Sequence, residues 1–291
     1  MRVFVTGRGG QLALCLAERA TAKSGMDITF AGRPQFDLAQ PEAAKATVIA
    51  AAPDVIINTA AYTAVDRAEV EPEVAFAVNR EGAAAMAQAA AELGIPLIHI
   101  STDYVFSGEK IGPYAEDDAT GPRNVYGHSK LAGERAVQML APQHVILRTS
   151  WVYSVYGQNF VRTMMGLARE RTKVSVVADQ MGCPTSAHDL AAAILQIAEA
   201  LPQQRRLRDV LHAAGFGVTT WFDYAAAIFA AMAKHGLPVP QLLAIAAAEY
   251  KTGAQRPRNS ALDCKKLQDL FGVALPSWET SLDAVVARHL Q

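Results

Sequence analysis

The first half of the chain alternates short apolar runs with alanine-rich stretches, and this alternation limits the folds that it can adopt. Strands that alternate with helices along a chain form a parallel sheet with helices on both faces. The sequence therefore predicts an α/β fold built on a doubly wound parallel sheet. The predicted strands cover residues 2–6, 28–31, 55–58, 97–101 and 145–149, and the predicted helices cover 11–20, 41–51, 72–93 and 126–140.

The pattern becomes less regular after residue 149. Further helices are predicted at 160–171, 188–200, 222–235, 264–271 and 281–290, and further strands at 174–177 and 210–213. From these segments we predict four parts. They are a core over 1–150, an excursion into a smaller lobe over 151–171, a return to the sheet over 172–213, and a mainly helical lobe over 214–291.

Composition and charge exclude several classes of protein. The chain has 27 Lys and Arg against 28 Asp and Glu, with no block of like charges, so neither nucleic acid nor a membrane surface is an expected partner. The longest apolar run has ten residues, fewer than the roughly 18 that a membrane span needs. Because the chain starts directly in a predicted strand without a signal core, we expect a cytoplasmic protein.

The cysteines and histidines argue against a metal site. Cys15, Cys183 and Cys264 lie far apart in the sequence, and no C-x-x-C pair occurs. No two histidines have the spacing that places a metal on one helix face. The sequence therefore predicts neither a bound metal nor a disulfide framework.

A glycine-rich turn follows the first predicted strand. Residues 7–13 read GRGGQLA and lead into the first predicted helix. Glycines such as Gly7 and Gly10 let the backbone approach a pyrophosphate, and the N-terminus of the helix supplies free N–H groups and a positive dipole end. Since four more strand–helix units follow, we predict a dinucleotide site here and interpret residues 1–150 as a Rossmann core.

The residues after the second predicted strand bear on the choice of dinucleotide. Arg33 stands where an NAD-selective site would carry a carboxylate for the ribose. It is either a partner for a 2′-phosphate, which favours NADPH, or a solvated loop residue. Asp37 either approaches the adenine or ribose, or caps the helix that begins near Pro41. We expect NADPH as the cofactor and keep NADH as an alternative.

A tyrosine and a lysine have the spacing of an acid–base pair. Tyr126 and Lys130 lie one helical turn apart, after a fourth predicted strand that ends in Ser101, Thr102 and Asp103. A neighbouring ammonium favours phenolate, so we expect the pKa of Tyr126 to lie below its usual value of about 10. Such a phenol can give a proton to a ketone oxygen as a hydride arrives.

With these elements in this order, the sequence resembles the extended short-chain dehydrogenase/reductase superfamily and, within it, the dTDP-4-dehydrorhamnose reductase family. The resemblance extends over nearly the whole chain. The matching segments are 7–12, 58–66, 101–106, 126–130 and 148–153, then Asp179, Gln180, Gly182, Pro184 and Thr185, and finally Arg256, Pro257, Asn259 and Ser260.

The resemblance implies an NAD(P)H-dependent reduction of the C4 ketone of dTDP-4-dehydro-L-rhamnose to dTDP-L-rhamnose, for cell-surface polysaccharide. It implies that Thr102 hydrogen-bonds the ketone oxygen, Tyr126 is the general acid, and Lys130 holds the nicotinamide ribose. The residues that it implies along the cofactor are Gly10, Gln11, Leu12, Asp37, Leu38, Ala61, Tyr62 and Thr63.

The resemblance also implies a substrate site, in the mainly helical lobe over 214–291 and beside it. Asp103 and Trp151 would face the substrate, although Trp151 is also readily explained as a core aromatic. Arg256 is either a partner for the substrate diphosphate, which needs cationic donors, or a surface charge.

Other activities on the same scaffold remain alternatives. Nucleotide-sugar dehydratases place an Asp-Glu pair after the strand-four threonine, whereas Tyr104 follows Asp103 here, so reduction is preferred. An epimerase or a non-catalytic, reductase-like regulatory subunit would share the fold. Some relatives hold a divalent ion between subunits with acidic residues, in whose places this chain has Cys15 and His188. The sequence therefore leaves monomer and homodimer open.

Overall fold

The computed structural model describes residues 1–21, 25–204 and 206–290. Most of the strands are short and apolar, and those of the central sheet are largely buried. They are β1 (Arg2–Thr6), β2 (Asp27–Ala31), β3 (Val55–Asn58), β4 (Leu97–Thr102), β5 (His144–Thr149), β6 (Val152–Tyr153), β7 (Lys173–Val177), β8 (Met181–Gly182), β9 (Thr185–Ser186), β10 (Arg208–His212), β11 (Thr219–Thr220) and β12 (Gln241–Ile245).

The helices alternate with the strands in the first half of the chain, as predicted. They are α1 (Gln11–Thr21), α2 (Pro41–Ala51), α3 (Val65–Ala68), α4 (Pro72–Phe76), α5 (Gly82–Leu93), α6 (Val125–Leu140), α7 (Phe160–Glu170), α8 (Ala187–Ala200), α9 (Trp221–Lys234), α10 (Lys265–Phe271) and α11 (Trp278–His289). Among the described residues, no helix is both long enough and apolar enough to cross a membrane.

The central sheet has six parallel strands in the order β10-β5-β4-β3-β1-β2. The chain runs outward from β1 to β2 and then crosses back to β3 on the other side of β1. In sheets of this kind, ligands bind outside the carboxyl ends of the strands at the point where the order reverses. That point lies here between the ends of β1 and β3.

Alternating side chains of the buried strands build a core on each face of the sheet. Val3 and Val5 point to one face, where they join a cluster with Leu190 of α8. Phe4 points to the opposite face, where it joins a cluster with Met86 of α5. Because both faces are covered, the side chains in the middle of these strands are mostly apolar. The predicted doubly wound α/β fold is confirmed.

The sequence did not predict helix α3 or strands β6, β8, β9, β11 and β12, and two of the predicted elements differ as well. β7, at the start of the stretch 172–213, pairs with β12 in a separate parallel ladder, whereas β10, at its end, joins the central sheet. The single helix expected over 72–93 is interrupted by a turn of π-helix over Ala77–Glu81. This turn directs the Asn79 side chain inward, where its amide hydrogen-bonds the backbone of Tyr62. The hydrophobic pattern of the sequence cannot reveal this contact between Asn79 and Tyr62.

A second, smaller lobe has its own core. It contains the ladders β7–β12, β6–β9 and β8–β11 with helices α7, α9 and α11. Three aromatic rings meet in its interior, where Tyr224 lies 5.4 Å from Trp278 and 5.7 Å from Tyr153 between ring centroids. The Tyr153 hydroxyl donates to the backbone oxygen of Trp278 at 2.9 Å. These contacts attach α9 and α11 to β6, just after the central strand β5.

A buried ion pair joins α6 to the central sheet. Arg148 of β5 donates to both carboxylate oxygens of Glu134, at 3.0 and 2.7 Å, and the Ser101 hydroxyl donates to the same carboxylate. Both charged side chains are at least 95% buried. Paired in this way, each charge is satisfied, but removal of either partner leaves the other one isolated in the interior.

We expect Glu134→Gln to lower the free energy of unfolding by about 3 kcal/mol or more, because Arg148 would keep its charge without a carboxylate. Chemical denaturation at neutral pH measures the effect. Asp269→Asn, which removes the partner of exposed Lys265, is the control and should cost far less. Equal losses for the two variants would contradict the assigned role of the buried pair.

Candidate active site

A close approach between two strand ends shapes the turn after β1. Gly7 has φ = +93°, in the region that favours glycine. A Cβ at this position would stand 3.0 Å from the Thr59 hydroxyl and 3.2 Å from the backbone of Ala60. A side chain here would push β1 and β3 apart where the strand order reverses.

The turn ends at the free N–H groups of α1, which begins at Gln11. The Gly10 N–H donates to the Gly7 carbonyl at 3.1 Å, and Leu12 packs into the core below. A Cβ at Gly9 would have no atom within 4 Å, so open space borders the turn. An open glycine turn at a helix N-terminus fits the pyrophosphate of a dinucleotide.

The segment after β2 lies beside this turn. Arg33 is exposed, and a Cβ on the preceding Gly32 would lie 2.9 Å from the Arg8 nitrogen. Asp37 accepts a hydrogen bond from the Ala39 N–H at 3.0 Å, so it closes a local turn and does not cap α2. Leu38 is buried.

The segment after β3 is held in place by a residue that sequence reasoning missed. Asn79 accepts from the Tyr62 N–H at 2.9 Å and donates to the Tyr62 carbonyl at 3.0 Å. It also donates to the Ser129 hydroxyl on α6 at 2.9 Å. Ala61, Tyr62 and Thr63 are thereby kept at the sheet edge, partly or fully exposed. A single asparagine in an alanine-rich helical stretch was the available signal.

The structure brings Thr102, Tyr126 and Lys130 together at the same edge. β4 ends at Thr102, and α6 starts beside it with Asn124 as its N-cap. Tyr126, in the first turn of α6, brings its phenol beside Thr102. Lys130 is 2% exposed, and its Nζ donates to the Ile100 carbonyl at 2.7 Å.

Burial controls the protonation of this pair. It raises the pKa of Tyr126 to about 12, with hydrogen bonding to Thr102 opposing the change and the charge of Asp103 adding to it. Burial also lowers the pKa of Lys130 to about 8, against the opposing charge of Glu134. The phenol pKa therefore moves in the direction opposite to the one expected from the sequence, because loss of solvent outweighs any effect of the ammonium.

Asp103 is a buried carboxyl at the same strand end. Its Oδ1 accepts from the Thr102 hydroxyl at 2.9 Å, whereas its Oδ2 has no hydrogen-bond partner among the described residues. Burial raises its pKa to about 7. Because this second oxygen is closed off from solvent, only a polar group that enters the end of β4 could reach it.

Three aromatic side chains, Trp151, Trp221 and Phe160, form what we call the aromatic wall. The Trp151 ring stacks on Trp221 with 3.4 Å between centroids, and Phe160 lies 4.6 Å from Trp221. Trp151 has φ = +46° and is only partly buried, and its ring packs at the border of the second lobe's core. The sequence singled out Trp151 but not the other two, which follow it in later segments.

Arg256 is engaged by a carboxylate in this structure. Its guanidinium donates to both oxygens of Asp66, at 3.2 and 2.8 Å, and this partner lowers the pKa of Asp66. The side chain is half-buried and lines a cavity of about 730 Å³. The residues that line the cavity are 108–113, Arg123, Asp179, Met181, Val218, 255–256, 258–259 and Ala261.

Metal ligands are not grouped in the part of the chain that the structure describes. Within it, no three His, Cys, Asp or Glu side chains are arranged to hold a metal ion.

Comparison with known proteins gives matches over the whole chain. The family model described as the RmlD substrate binding domain matches residues 1–291. The dTDP-4-dehydrorhamnose reductase of Sinorhizobium fredii is 50% identical, over 98% of this chain and 97% of that protein.

Solved structures agree with this result. The crystal structure of a dTDP-4-dehydrorhamnose reductase from Clostridium acetobutylicum is 32% identical, with a TM-score of 0.93 over 100% of both chains. That of dTDP-4-dehydrorhamnose reductase from Bacillus anthracis, in complex with NADP, is 36% identical, with a TM-score of 0.91 over 99% of both chains. With Thr102, Tyr126 and Lys130 at the same sheet edge as the glycine turn, the chain belongs to the dTDP-4-dehydrorhamnose reductase family.

Proposed function

We propose that this protein uses NADPH to reduce the C4 ketone of dTDP-4-dehydro-L-rhamnose to dTDP-L-rhamnose. The observation that carries the proposal is the grouping of Thr102, Tyr126 and Lys130 at the sheet edge that also holds the glycine turn. The names of the similar proteins support the substrate, and the Bacillus anthracis complex with NADP supports the cofactor. The cytoplasmic location and the choice between monomer and homodimer stay predictions.

The residues proposed to hold the dinucleotide surround the switch in strand order. Backbone N–H groups at the start of α1 would bind the pyrophosphate, and Lys130 would hold the nicotinamide ribose. The bound cofactor supplies a hydride to the ketone carbon. The full set of proposed cofactor residues is Gly7, Gly10, Gln11, Leu12, Arg33, Asp37, Leu38, Ala61, Tyr62, Thr63 and Lys130.

The chain's own residues complete the reduction by supplying a proton. Thr102 turns its hydroxyl proton from Asp103 to the ketone oxygen, and Tyr126 gives its phenolic proton to that oxygen as negative charge develops there. With a pKa of about 12, Tyr126 is fully protonated at neutral pH before the reaction. The charge of Lys130 then stabilises the phenolate that remains.

Three further residues are proposed to bind the sugar nucleotide. Asp103 offers an unpartnered carboxylate oxygen to the sugar, and Trp151 presents the aromatic wall to its ring. Arg256 would exchange Asp66 for the diphosphate. An epimerase would share much of this geometry, but the similar proteins favour the reductase. A non-catalytic subunit would have no use for the grouped acid and ammonium.

The proposed function is tested by NADPH oxidation with purified protein and a panel of dTDP, UDP and GDP 4-keto-6-deoxy sugars. We expect turnover with the dTDP sugar and the L-rhamnose nucleotide as product, identified by NMR. Cofactor binding without turnover of any member would overturn the reductase assignment and favour a binding subunit.

Tyr126→Phe should lower kcat by at least about a hundredfold while NADPH affinity stays nearly unchanged, because only the proton donor is lost. NADPH oxidation and a fluorescence titration measure the two quantities. Tyr250→Phe, which removes an exposed hydroxyl in the second lobe, is the matched control and should have the kcat and NADPH affinity of the wild type. Near-normal kcat in Tyr126→Phe would remove this phenol from the mechanism.

The pH dependence of kcat/KM should reveal the deprotonation of Lys130. Because burial lowers the pKa of Lys130 to about 8, its ammonium is lost as the pH rises through that value, while Tyr126 keeps its proton. We expect kcat/KM to fall up to about tenfold per pH unit above this point. Lys130→Arg should lack the descending limb, and Asp103→Asn should retain it. A limb that disappears in Asp103→Asn would assign it to the carboxyl.

Arg33→Ala should weaken NADPH by about tenfold and NADH much less, as expected for loss of a charged partner of the 2′-phosphate. Fluorescence titrations with both cofactors give the dissociation constants. Arg8→Ala, on the facing turn, provides the comparison for a general loss of positive charge. Equal weakening of NADPH and NADH by Arg33→Ala would show that this side chain does not meet the 2′-phosphate.

A further inference from the structure

The Gln11 side chain joins the glycine turn to the second lobe. From the first residue of α1 it reaches residues 154–159, which we call the lobe loop. Its Oε1 accepts from the Ser154 hydroxyl at 3.0 Å and from Asn159 Nδ2 at 2.9 Å, and its Nε2 donates to the Gln158 carbonyl at 3.4 Å. A residue at the cofactor turn therefore directs its polar group to a loop nearly 150 positions away.

The lobe loop is shaped around this side chain. Gly157 has φ = +62°, and a Cβ there would lie 3.0 Å from Gln11 Cγ. A second contact lies farther along α1, where the Tyr156 hydroxyl donates to Glu18 at 3.2 Å. The loop thus packs along the first helix and encloses Gln11 closely.

Asn159 connects Gln11 to the aromatic wall. It is the N-cap of α7, and its Oδ1 accepts from the Arg162 N–H at 3.1 Å while its Nδ2 donates to Gln11. The next residue is Phe160, which packs on Trp221, and Trp221 stacks on Trp151. Two contiguous residues therefore connect the turn that fits a pyrophosphate to the wall proposed for the sugar.

We propose that Gln11 is a positioning residue that sets the aromatic wall from the cofactor turn, through Asn159 and α7. The inference rests on the proposed function in that the ligand at the wall is a nucleotide sugar. Gln11 does not touch that sugar. When the dinucleotide holds the start of α1, the Gln11 side chain holds the start of α7, and the wall adopts the position that the substrate requires.

The kinetic test uses Gln11→Met and Asn159→Ser. Serine still caps α7 but is too short to reach Gln11. Each variant should raise the KM for the keto sugar about tenfold, with kcat changed less than about threefold. Asn159→Ser, which lies outside the proposed cofactor residues, should also keep the NADPH dissociation constant within about twofold. The double variant should cost clearly less than the sum of the two single ones, because both remove the contact between Gln11 and Asn159. Asn159 also donates to the Ser154 and Tyr156 carbonyls, so a small separate effect of Asn159→Ser is expected. Gln158→Ala, which keeps its carbonyl, is the matched control and should behave as the wild type.

A second measurement does not depend on the sugar. Hydrogen exchange of the peptide over 154–163 should slow when NADPH is added to the wild type, and should not respond in Gln11→Met or Asn159→Ser. If the protein turns over no keto sugar, the proposed function fails while this measurement still decides the role of Gln11. An unchanged KM, additive effects in the double variant, or equal slowing of exchange in all variants would overturn the proposal.

Discussion

A buried hydrogen-bonded row across three strands fixes the geometry on which the site depends. Thr6 donates to Asn58 at 2.6 Å, and the Asn58 amide lies 3.0 Å from His99 Nδ1. These residues face one another in register at or near the ends of β1, β3 and β4. Burial lowers the pKa of His99 well below its ordinary value, so a neutral ring accepts from the amide. The loops that leave these strands therefore start from fixed positions.

The environment of the sheet edge decides how its ionisable groups behave. Loss of solvent raises the pKa of the Tyr126 phenol and lowers that of the Lys130 ammonium, so the two pKa values lie about four units apart. In water, the ordinary pKa values of tyrosine and lysine nearly coincide. Tyr126, the proposed acid, therefore stays protonated until a more basic oxygen approaches its hydroxyl. The ammonium matters most after the proton has moved, when a phenolate must be stabilised in the interior.

Local patterns in the sequence predicted the central sheet, the glycine turn and the Tyr126–Lys130 pair, because each depends on neighbours only a few positions apart. The contacts that complete the site join distant segments. Arg256 meets a carboxylate 190 positions away, and Gln11 meets the lobe loop. Neither contact leaves a periodic signal. The pKa of Tyr126 was misjudged for a related reason, since spacing reveals a nearby charge but not the depth of burial.

The ion pair between Arg256 and Asp66 affects how an anion can bind at the cavity. The guanidinium is already neutralised by a carboxylate from the segment that follows β3. Any anion that binds Arg256 must therefore compete with the Asp66 carboxylate. When the anion displaces Asp66, the start of α3 loses its contact with Arg256. Occupation of the cavity by a phosphorylated molecule would convert a contact between the two lobes into a contact with the molecule itself, so affinity should be weaker than an unpaired arginine would provide.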